Sequence, residues 1–131
     1  MTALDTNVLV RFLVKDDPKQ SGRAAALVER AVRDQDTLFL AQIAVCETVW
    51  VLETAYRFGR GRIAQVLADL LRARHLAVED AEEVRRALDR YSSGKGDVAD
   101  YLVAERARAA GHTKVATFDR DLLGEPDFFE P

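Results

Sequence analysis

The sequence predicts an α/β fold in which helices cover both faces of a parallel β-sheet. Short apolar runs with strand character alternate along the chain with longer segments whose apolar residues recur at the period of a helix. Neighbouring parallel strands need a crossover connection, usually a helix, and the alternation supplies one. The 131 residues have the size of one domain and show no linker or internal repeat. We therefore predict a single domain over residues 1–131.

Five apolar runs are the candidates for strands. The most compact is the run at residues 37–40, and the run at residues 75–78 has the character of an edge strand. The last run is very short, so the expected sheet has four to five strands. The predicted strands are residues 2–5, 37–40, 75–78, 114–118 and 128–129.

Six segments have helical periodicity, and residue types that start or stop helices mark their ends. Asp17 is placed to cap a helix that has proline in its first position, and Gly111 is placed to close the last helix. Gly59 and Gly61 are expected to flank a turn, and residues 92–96 form the clearest loop. The predicted helices are residues 7–13, 18–33, 43–56, 63–71, 80–91 and 97–110.

The composition argues against several classes of protein. A net charge of −3 disfavours a protein that coats nucleic acid, and a single cysteine excludes an internal disulfide and a zinc site built from cysteines. Cys46 lies in an apolar run and is interpreted as a small buried hydrophobic residue. We see no secretory leader and no apolar run of the roughly 18 residues that a membrane span needs, so we expect a cytoplasmic protein.

Five carboxylates stand out because of their positions. Asp5 ends the first predicted strand and Asp119 follows the fourth, and ligands of α/β proteins bind beyond such strand ends. Glu47 interrupts the most apolar helix, where its apolar neighbours at helical spacing argue against exposure. Asp97 and Asp100 open the helix that follows the glycine loop. The sequence thus predicts an acidic site built from separate strand and helix ends.

Carboxylates brought together need a compensating charge. At an effective dielectric constant near 20, two charges about 5 Å apart repel each other by roughly 3 kcal/mol. Either the pKa values rise so that some carboxyl groups are neutral, or a cation occupies the centre. An oxygen-only ligand set selects a hard ion, Mg²⁺ or Mn²⁺, which acidifies a water and neutralises charge on a phosphate oxygen. The chemistry that follows is metal-dependent hydrolysis of phosphodiesters.

Each of these acids also has a purely structural interpretation. Asp5 can serve only as a helix cap, Glu47 can stand exposed on its helix, and Asp119 can be a turn residue. For Asp97 the choice between a metal ligand and an N-cap is open. We assign Asp100 to the site because small residues on its helix face indicate close packing there.

Three small polar residues accompany the acids. Thr6 and Asn7 offer a hydroxyl and an amide beside Asp5, and Thr117 offers a hydroxyl before Asp119. Such groups can hold a carboxylate or a water, and ordinary turn chemistry is the alternative. We predict that all three support the acidic site.

Four segments of the chain resemble the signatures of PIN-domain ribonucleases, and most closely those of the VapC toxins of bacterial toxin–antitoxin pairs. They are DTNVLV, VCETVWVL, GDVADYLVAERARAAG and VATFDRDL, in that order. The resemblance spans residues 5–122. It implies a three-layer α/β/α sandwich with a central, mostly parallel sheet of four to five strands. It also implies a homodimer that cuts RNA with Mg²⁺ or Mn²⁺.

The resemblance implies roles for individual residues and a protein partner. The acidic quartet of the family falls on Asp5, Glu47, Asp100 and Asp119, and Asp97 occupies an additional acidic position among the metal ligands. Glu47 is expected to hold a second metal or to orient the attacking water. The implied partner is a VapB-like antitoxin whose C-terminal tail crosses the site, so toxin–antitoxin hetero-oligomers are expected.

The principal hypothesis is therefore a metal-dependent endoribonuclease and toxin that leaves a 5′-phosphate and a 3′-hydroxyl. Arg11 and the arginines at residues 57–62 are expected to form a basic rim for the RNA backbone, and a solvated helix face is the alternative. A Mg²⁺-dependent phosphatase using Asp5 as nucleophile is a second hypothesis, although that chemistry needs another Asp where this chain has Asn7. A module of the same fold that binds RNA or protein without cutting is a third.

Overall fold

The computed structural model describes residues 2–131, in which six helices and five strands alternate broadly as predicted. The strands are β1 (Thr2–Ala3), β2 (Leu38–Leu40), β3 (Leu76–Val78), β4 (Val115–Ala116) and β5 (Phe128–Phe129). The helices are α1 (Thr6–Leu13), α2 (Pro18–Arg33), α3 (Gln42–Thr54), α4 (Arg60–Arg72), α5 (Ala81–Ser93) and α6 (Val98–Ala109). No helix within residues 2–131 has the length and apolar character to cross a membrane.

All the strand pairings are parallel. β1 pairs with β2 and β2 with β3, so that Leu38 lies opposite Thr2 on one side and Leu76 on the other. β4 pairs with β5, with Val115 opposite Phe128. The predicted α/β class with parallel strands is confirmed, and the five strands form a three-stranded and a two-stranded sheet.

The chain divides into two compact units. The first runs to Ala81 and contains the three-stranded sheet with α1 to α4. The second runs from Glu82 to Pro131 and contains the two-stranded sheet, α6 and all of α5 except its first residue. A single domain over residues 1–131 stays a prediction.

Each unit has its own apolar core. In the first, the strands and the inward faces of the helices contribute residues that are almost fully buried: Leu4, Leu9, Leu38, Leu40, Val45, Leu52, Ile63 and Leu67. The buried residues of the second unit include two tyrosines: Val84, Tyr91, Val98, Tyr101, Leu102, Leu122 and Phe128. The members of these sets that lie on helices recur at helical spacing, as Ile63 and Leu67 do on α4.

Two helix ends form as the sequence predicted. The Oδ1 atom of Asp17 accepts the backbone N–H of Gln20 at 3.1 Å and caps α2, which begins with proline. α6 ends in a Schellman motif, in which Gly111 has a φ of +90° and the N–H of His112 donates to the carbonyl of Ala107 at 2.8 Å. Glycine is needed at position 111 because that φ is strained for other residues.

Two helices are longer than predicted. Gly59 is the N-cap of α4, and Gly61 lies inside its first turn instead of flanking a turn. α5 extends through Ser92 and Ser93, which were predicted to begin a loop. The hydroxyl of Ser92 donates to the carbonyl of Leu88 at 2.9 Å, so its polar group is satisfied within the helix.

The predicted strands at residues 2–5 and 114–118 are shorter in the structure because polar residues at their ends leave the sheet. Leu4 still donates its N–H to the carbonyl of Phe39 at 2.9 Å, and Asp5 then turns away as the N-cap of α1. Thr117 likewise still donates its N–H to the carbonyl of Phe129 at 2.9 Å. Each strand therefore ends within two residues of a candidate site residue, Asp5 after β1 and Thr117 after β4.

A cluster of ion pairs in the second unit joins α5, α6 and the C-terminal segment. Arg90 donates to both carboxylate oxygens of Asp127, at 2.7 and 2.9 Å, and to Glu125 at 3.4 Å. Glu105, which is only 2% exposed, lies 3.5 to 4.0 Å from three arginines: Arg86, Arg90 and Arg108. We call these six residues the Arg90 cluster. Glu105, to which the sequence assigned no role, thus belongs to a structural ion-pair network.

Asp127→Asn is expected to make the free energy of unfolding depend less on pH in the acid range. The hydrogen bonds from Arg90 are the main cause that lowers the pKa of Asp127 in the folded protein. The stabilisation by the carboxylate is therefore present above its unfolded-state pKa near 3.9 and is lost as the pH falls through the lower folded-state pKa. Urea unfolding at neutral pH should show a loss of about 1.5–3 kcal/mol in the variant, as for hydrogen bonds to charged groups. The stabilities of the two proteins should converge as the pH falls through the lowered folded-state pKa of Asp127; a difference that stays as large in acid as at neutral pH would contradict this.

Candidate active site

Two of the predicted acids form a cluster in the first unit, at the carboxyl ends of β1 and β2. Asp5 is exposed and caps α1, because its Oδ1 atom accepts the backbone N–H of Thr6 at 2.8 Å. The hydroxyl of Thr6 donates to Oε1 of Glu47 on α3 at 3.2 Å. Thr6 therefore contacts both acids, one through its backbone and one through its side chain. Cap formation uses one oxygen of Asp5 and leaves the other for a ligand.

Glu47 is exposed, contrary to the expectation from its apolar neighbours. Ile43 and Trp50, one turn before and one turn after it, are themselves 71% and 65% exposed. The buried side of α3 is instead formed by residues such as Val45 and Leu52. The apolar residues on either side of Glu47 thus form an exposed surface beside this acid.

The other three acids lie in the second unit. Asp97 is the N-cap residue of α6, and its backbone N–H donates to Oδ2 of Asp100 at 2.8 Å. Asp100 occupies the third helical position, where a carboxylate can satisfy the free N–H groups of a helix start. The N-cap interpretation of Asp97 is confirmed by its position. Its side chain is exposed, so a second role as a ligand stays a prediction.

The pKa of Asp100 is raised in the folded protein. Burial is the largest cause that raises its pKa, and the charges of Asp97 and Asp119 raise it further, while the hydrogen bond from the Asp97 backbone opposes the rise. Asp97, Asp100 and Asp119 therefore interact as one acidic cluster. A cation beside Asp100 would relieve this repulsion and favour its charged form.

Asp119 lies in a turn that local hydrogen bonds fix. The hydroxyl oxygen of Thr117 accepts the backbone N–H of Asp119 at 3.0 Å, and Oδ1 of Asp119 accepts the N–H of Asp121 at 2.9 Å. Thr117 thus orients the backbone of Asp119, and it does so through the turn chemistry that was its alternative interpretation. The carboxylate of Asp119 is exposed beyond the end of β4.

The glycines that precede Asp97 are required by close packing on Tyr101. A Cβ atom at Gly94 would lie 2.0 Å from the Tyr101 hydroxyl, and one at Gly96 would lie 2.4 Å from Leu122. The N–H of Gly96 donates to the Tyr101 hydroxyl at 3.0 Å. The loop is therefore held against the buried ring of Tyr101, which positions the start of α6 and its two acids.

The donor chemistry of both clusters fits a hard divalent cation. All the candidate ligands are carboxylates, and the pKa of Asp100 is raised by burial first and by the negative charges of Asp97 and Asp119 in addition. Among residues 2–131, no three His, Cys, Asp or Glu side chains are close enough together to form a metal-binding group of their own. Mg²⁺ does not require such a group, since proteins commonly hold it through one or two carboxylates together with waters and substrate phosphates.

Cys46 is half-buried, so its interpretation as a buried hydrophobic residue was only partly right. Burial and the negative charge of Glu47 both raise the pKa of its thiol, burial being the larger cause. A thiol with a raised pKa carries little of the nucleophilic thiolate at neutral pH. Cys46 is therefore unsuited to be a nucleophile, as the sequence predicted.

Sequence reasoning missed a cavity of about 350 Å³ between α1 and α2. It is lined by Asn7, Val8, Arg11, Gln20, Arg23, Ala24 and Leu27. On α2 the lining positions 20, 23, 24 and 27 follow helical spacing, and Ala24 and Leu27 form the apolar part of that helix face. The polar continuation of that face through Gln20 and Arg23 was the signal available in the sequence.

The predicted basic rim is only partly a free surface. Arg11 is paired with Asp16 at 3.1 Å and also donates to Gln20 at 2.7 Å and to Tyr56 at 3.3 Å. The guanidinium of Arg62 stacks on the ring of Phe58, 3.7 Å from its centroid. These arginines are therefore fixed in place by neighbours, and a role in guiding RNA stays a prediction.

Comparison with known proteins gives two findings. The PIN domain family matches residues 2–126 of the chain. A VapC ribonuclease of Aquifex aeolicus (strain VF5) is 29% identical over 120 residues, which cover 92% of this chain and 88% of that protein. The matched region contains all eight of the predicted site residues, from Asp5 to Asp119.

Proposed function

The chain belongs to the PIN domain family, as its four motifs predicted, and we propose that it is a metal-dependent endoribonuclease that acts as the toxin of a VapBC-type pair in the cytoplasm. The observation that carries this proposal is the family match, which extends over nearly the whole chain and includes every acid of the predicted quartet. Similarity over 92% of the chain to a protein named VapC ribonuclease supports the same reaction.

The proposed reaction is hydrolysis of an RNA phosphodiester that leaves a 5′-phosphate and a 3′-hydroxyl. Asp5, Asp100 and Asp119 are the proposed ligands of Mg²⁺ or Mn²⁺, directly or through water, and Asp97 is an additional acid. A bound divalent cation supplies Lewis-acid stabilisation of the charge that develops on the phosphate and lowers the pKa of a water. Asp5 is exposed and capping α1 requires only Oδ1, which supports this role for its second oxygen.

Glu47 is proposed to orient the attacking water. The Thr6 hydroxyl donates to Oε1 of Glu47, which restrains the side chain and leaves Oε2 as an acceptor for a proton of that water. Asn7 stands at the position where a phosphatase using Asp5 as nucleophile would need an acidic residue. A neutral amide cannot serve as the general acid, so the nuclease is favoured over that alternative.

A VapB-like antitoxin is the proposed protein partner, with a toxin homodimer as the unit that it inhibits. The exposed Ile43 and Trp50 beside Glu47 support a protein that covers this face. Large apolar side chains exposed next to a functional group are typical of protein-binding surfaces. A partner docked on α3 in this way would also block the approach of RNA to Glu47.

Chelation is the direct test of the proposed chemistry. RNA cleavage by the purified protein should require Mg²⁺ or Mn²⁺, should stop in EDTA and should return when excess metal is added. Mapping of the product ends should find 5′-phosphates. Cleavage that is indifferent to EDTA, or products with 2′,3′-cyclic phosphates, would overturn the proposal, because the latter come from attack by the ribose hydroxyl and not by water.

A further inference from the structure

The cavity between α1 and α2 has the size and the lining of a small ligand site. Its volume of about 350 Å³ falls within the usual range of ligand pockets. The wall from α1 begins at Asn7, only two residues after Asp5, and continues to Arg11. Because α1 rises about 1.5 Å per residue, Asp5 and Arg11 are about 9 Å apart along the helix axis. The lining of the cavity thus begins within one helical turn of Asp5 along α1.

The charge of the lining selects an anion. Arg11 and Arg23 are the charged residues among the seven that line the cavity, and no acid lines it. Arg11 is already paired with Asp16, at 3.1 Å. Arg23 is exposed, and within residues 2–131 it has neither an ion-pair nor a hydrogen-bond partner. Its guanidinium therefore brings an uncompensated positive charge and a planar set of donors to the cavity.

The neutral polar residues of the lining add donors. Oε1 of Gln20 accepts a hydrogen bond from Nε of Arg11 at 2.7 Å, which fixes both side chains and leaves the amide NH₂ of Gln20 as a donor. Asn7 offers a second amide at the end nearer to Asp5. Guanidinium and amide donors around one cavity match the oxygens of a phosphate group.

We propose that this cavity is a subsite that binds a phosphate of the RNA chain next to the phosphate that is cleaved. The inference rests on the proposed ribonuclease function. An RNA backbone that approaches Asp5 and Glu47 meets negative charge, and a positive subsite beside them offsets this repulsion. That need favours RNA over an acidic peptide as the occupant. Arg23 acts as a positioning residue here, because it would contact a phosphate that does not react.

Binding of RNA without divalent metal tests the subsite independently of cleavage. With a short fluorescein-labelled oligouridylate in EDTA, Arg23→Gln should weaken binding by about tenfold, as expected for the loss of one charged hydrogen bond. The slope of log K against log salt should become shallower by about 0.7, the value for one phosphate contact on a single strand. Arg23→Lys should retain most of the affinity, since the charge remains.

The matched control is Arg30→Gln. Arg30 lies two turns further along α2, is exposed and does not line the cavity. This variant should bind the oligouridylate as the parent does. In the active enzyme with Mg²⁺, Arg23→Gln should raise KM and leave kcat nearly unchanged, because a contact made equally in the ground and transition states affects binding alone.

The outcomes separate the failure of the subsite from the failure of the proposed function. If the parent binds RNA and Arg23→Gln binds it with the same affinity and salt slope, the subsite is wrong and the nuclease proposal stands. Tighter binding of an oligoglutamate of equal charge than of the RNA would overturn the subsite in favour of a peptide site. If the parent neither binds nor cleaves RNA, both proposals fail.

Discussion

Asp5→Asn is expected to reduce RNA cleavage by about 100- to 1,000-fold, since Lewis-acid stabilisation of the transition state is worth several kcal/mol. The proposed role of Asp5 requires a negative charge, because a neutral amide oxygen binds a hard cation more weakly than a carboxylate does. The substitution removes that charge and changes almost nothing else in the size or shape of the side chain.

The fold should survive this substitution. The structural role of Asp5 is to accept the N–H of Thr6 at 2.8 Å as the cap of α1, and asparagine is as good an N-cap as aspartate. Urea unfolding should therefore give the variant a free energy of unfolding within about 0.5 kcal/mol of the parent. Asp5→Ala should lose both activity and about 1 kcal/mol of stability, because alanine cannot cap the helix.

Asp17→Asn provides a matched control for Asp5→Asn. Asp17 is the N-cap of α2 and accepts the N–H of Gln20 at 3.1 Å, so the same change is made at an equivalent structural position. The control should cleave RNA at the parental rate. If Asp5→Asn is equally active, Asp5 is only a cap and the proposed metal chemistry is wrong.

The helix ends were predictable because their interactions are local. Asp17 caps α2 through a hydrogen bond from the residue three positions later, and Gly111 ends α6 through hydrogen bonds to the preceding turn. The identity of such a residue nearly determines its conformation, whatever the rest of the chain does. The placement of Asp5 and Asp119 at strand ends was predictable for a similar reason, since each directly follows a short apolar run.

The contacts between the site residues were not predictable from the sequence. The Thr6 hydroxyl could have met several acceptors near the turn, and its partner Glu47 is 41 residues away. The exposure of Glu47 was mispredicted because an apolar helix face looks the same in a sequence whether it enters a core or faces a binding partner. In this structure Ile43 and Trp50 do not enter the core, since they are 71% and 65% exposed.

The ion-pair partners of the charged residues on α5 could not be predicted from the sequence either. Arg85 and Arg90 are both arginines on an amphipathic helix, and the sequence offers no local distinction between them. In the structure Arg85 pairs with Glu82 on the same helix, whereas Arg90 pairs with Asp127, 37 residues away. The difference depends on how the C-terminal segment packs, which no local rule describes.

Arg90→Met is expected to be strongly destabilising, by about 3 kcal/mol, the lower end of the range for breaking a buried ion pair. The side chain is 20% exposed, which argues for that end of the range. Methionine would fill much of the space but would leave the carboxylate of Asp127 without its two hydrogen bonds from Arg90. Glu125 would lose its bond from Arg90 as well. Urea denaturation at neutral pH would measure the loss.

Three further variants identify the source of that loss. Arg85→Met removes an exposed pair on the same helix and should change stability by no more than about 0.5 kcal/mol. Arg90→Lys should be intermediate, because lysine keeps the charge but cannot form the bidentate pair with Asp127. In the Arg90→Met background, Asp127→Asn should cost far less than it does alone, because the carboxylate has already lost its partner.

If Arg90→Met were no more destabilising than Arg85→Met, the Arg90 cluster would contribute no more than a surface ion pair. The packing of Arg90 beside the Tyr101 ring, 5.0 Å from its centroid, would then contribute little too, since the same substitution removes it.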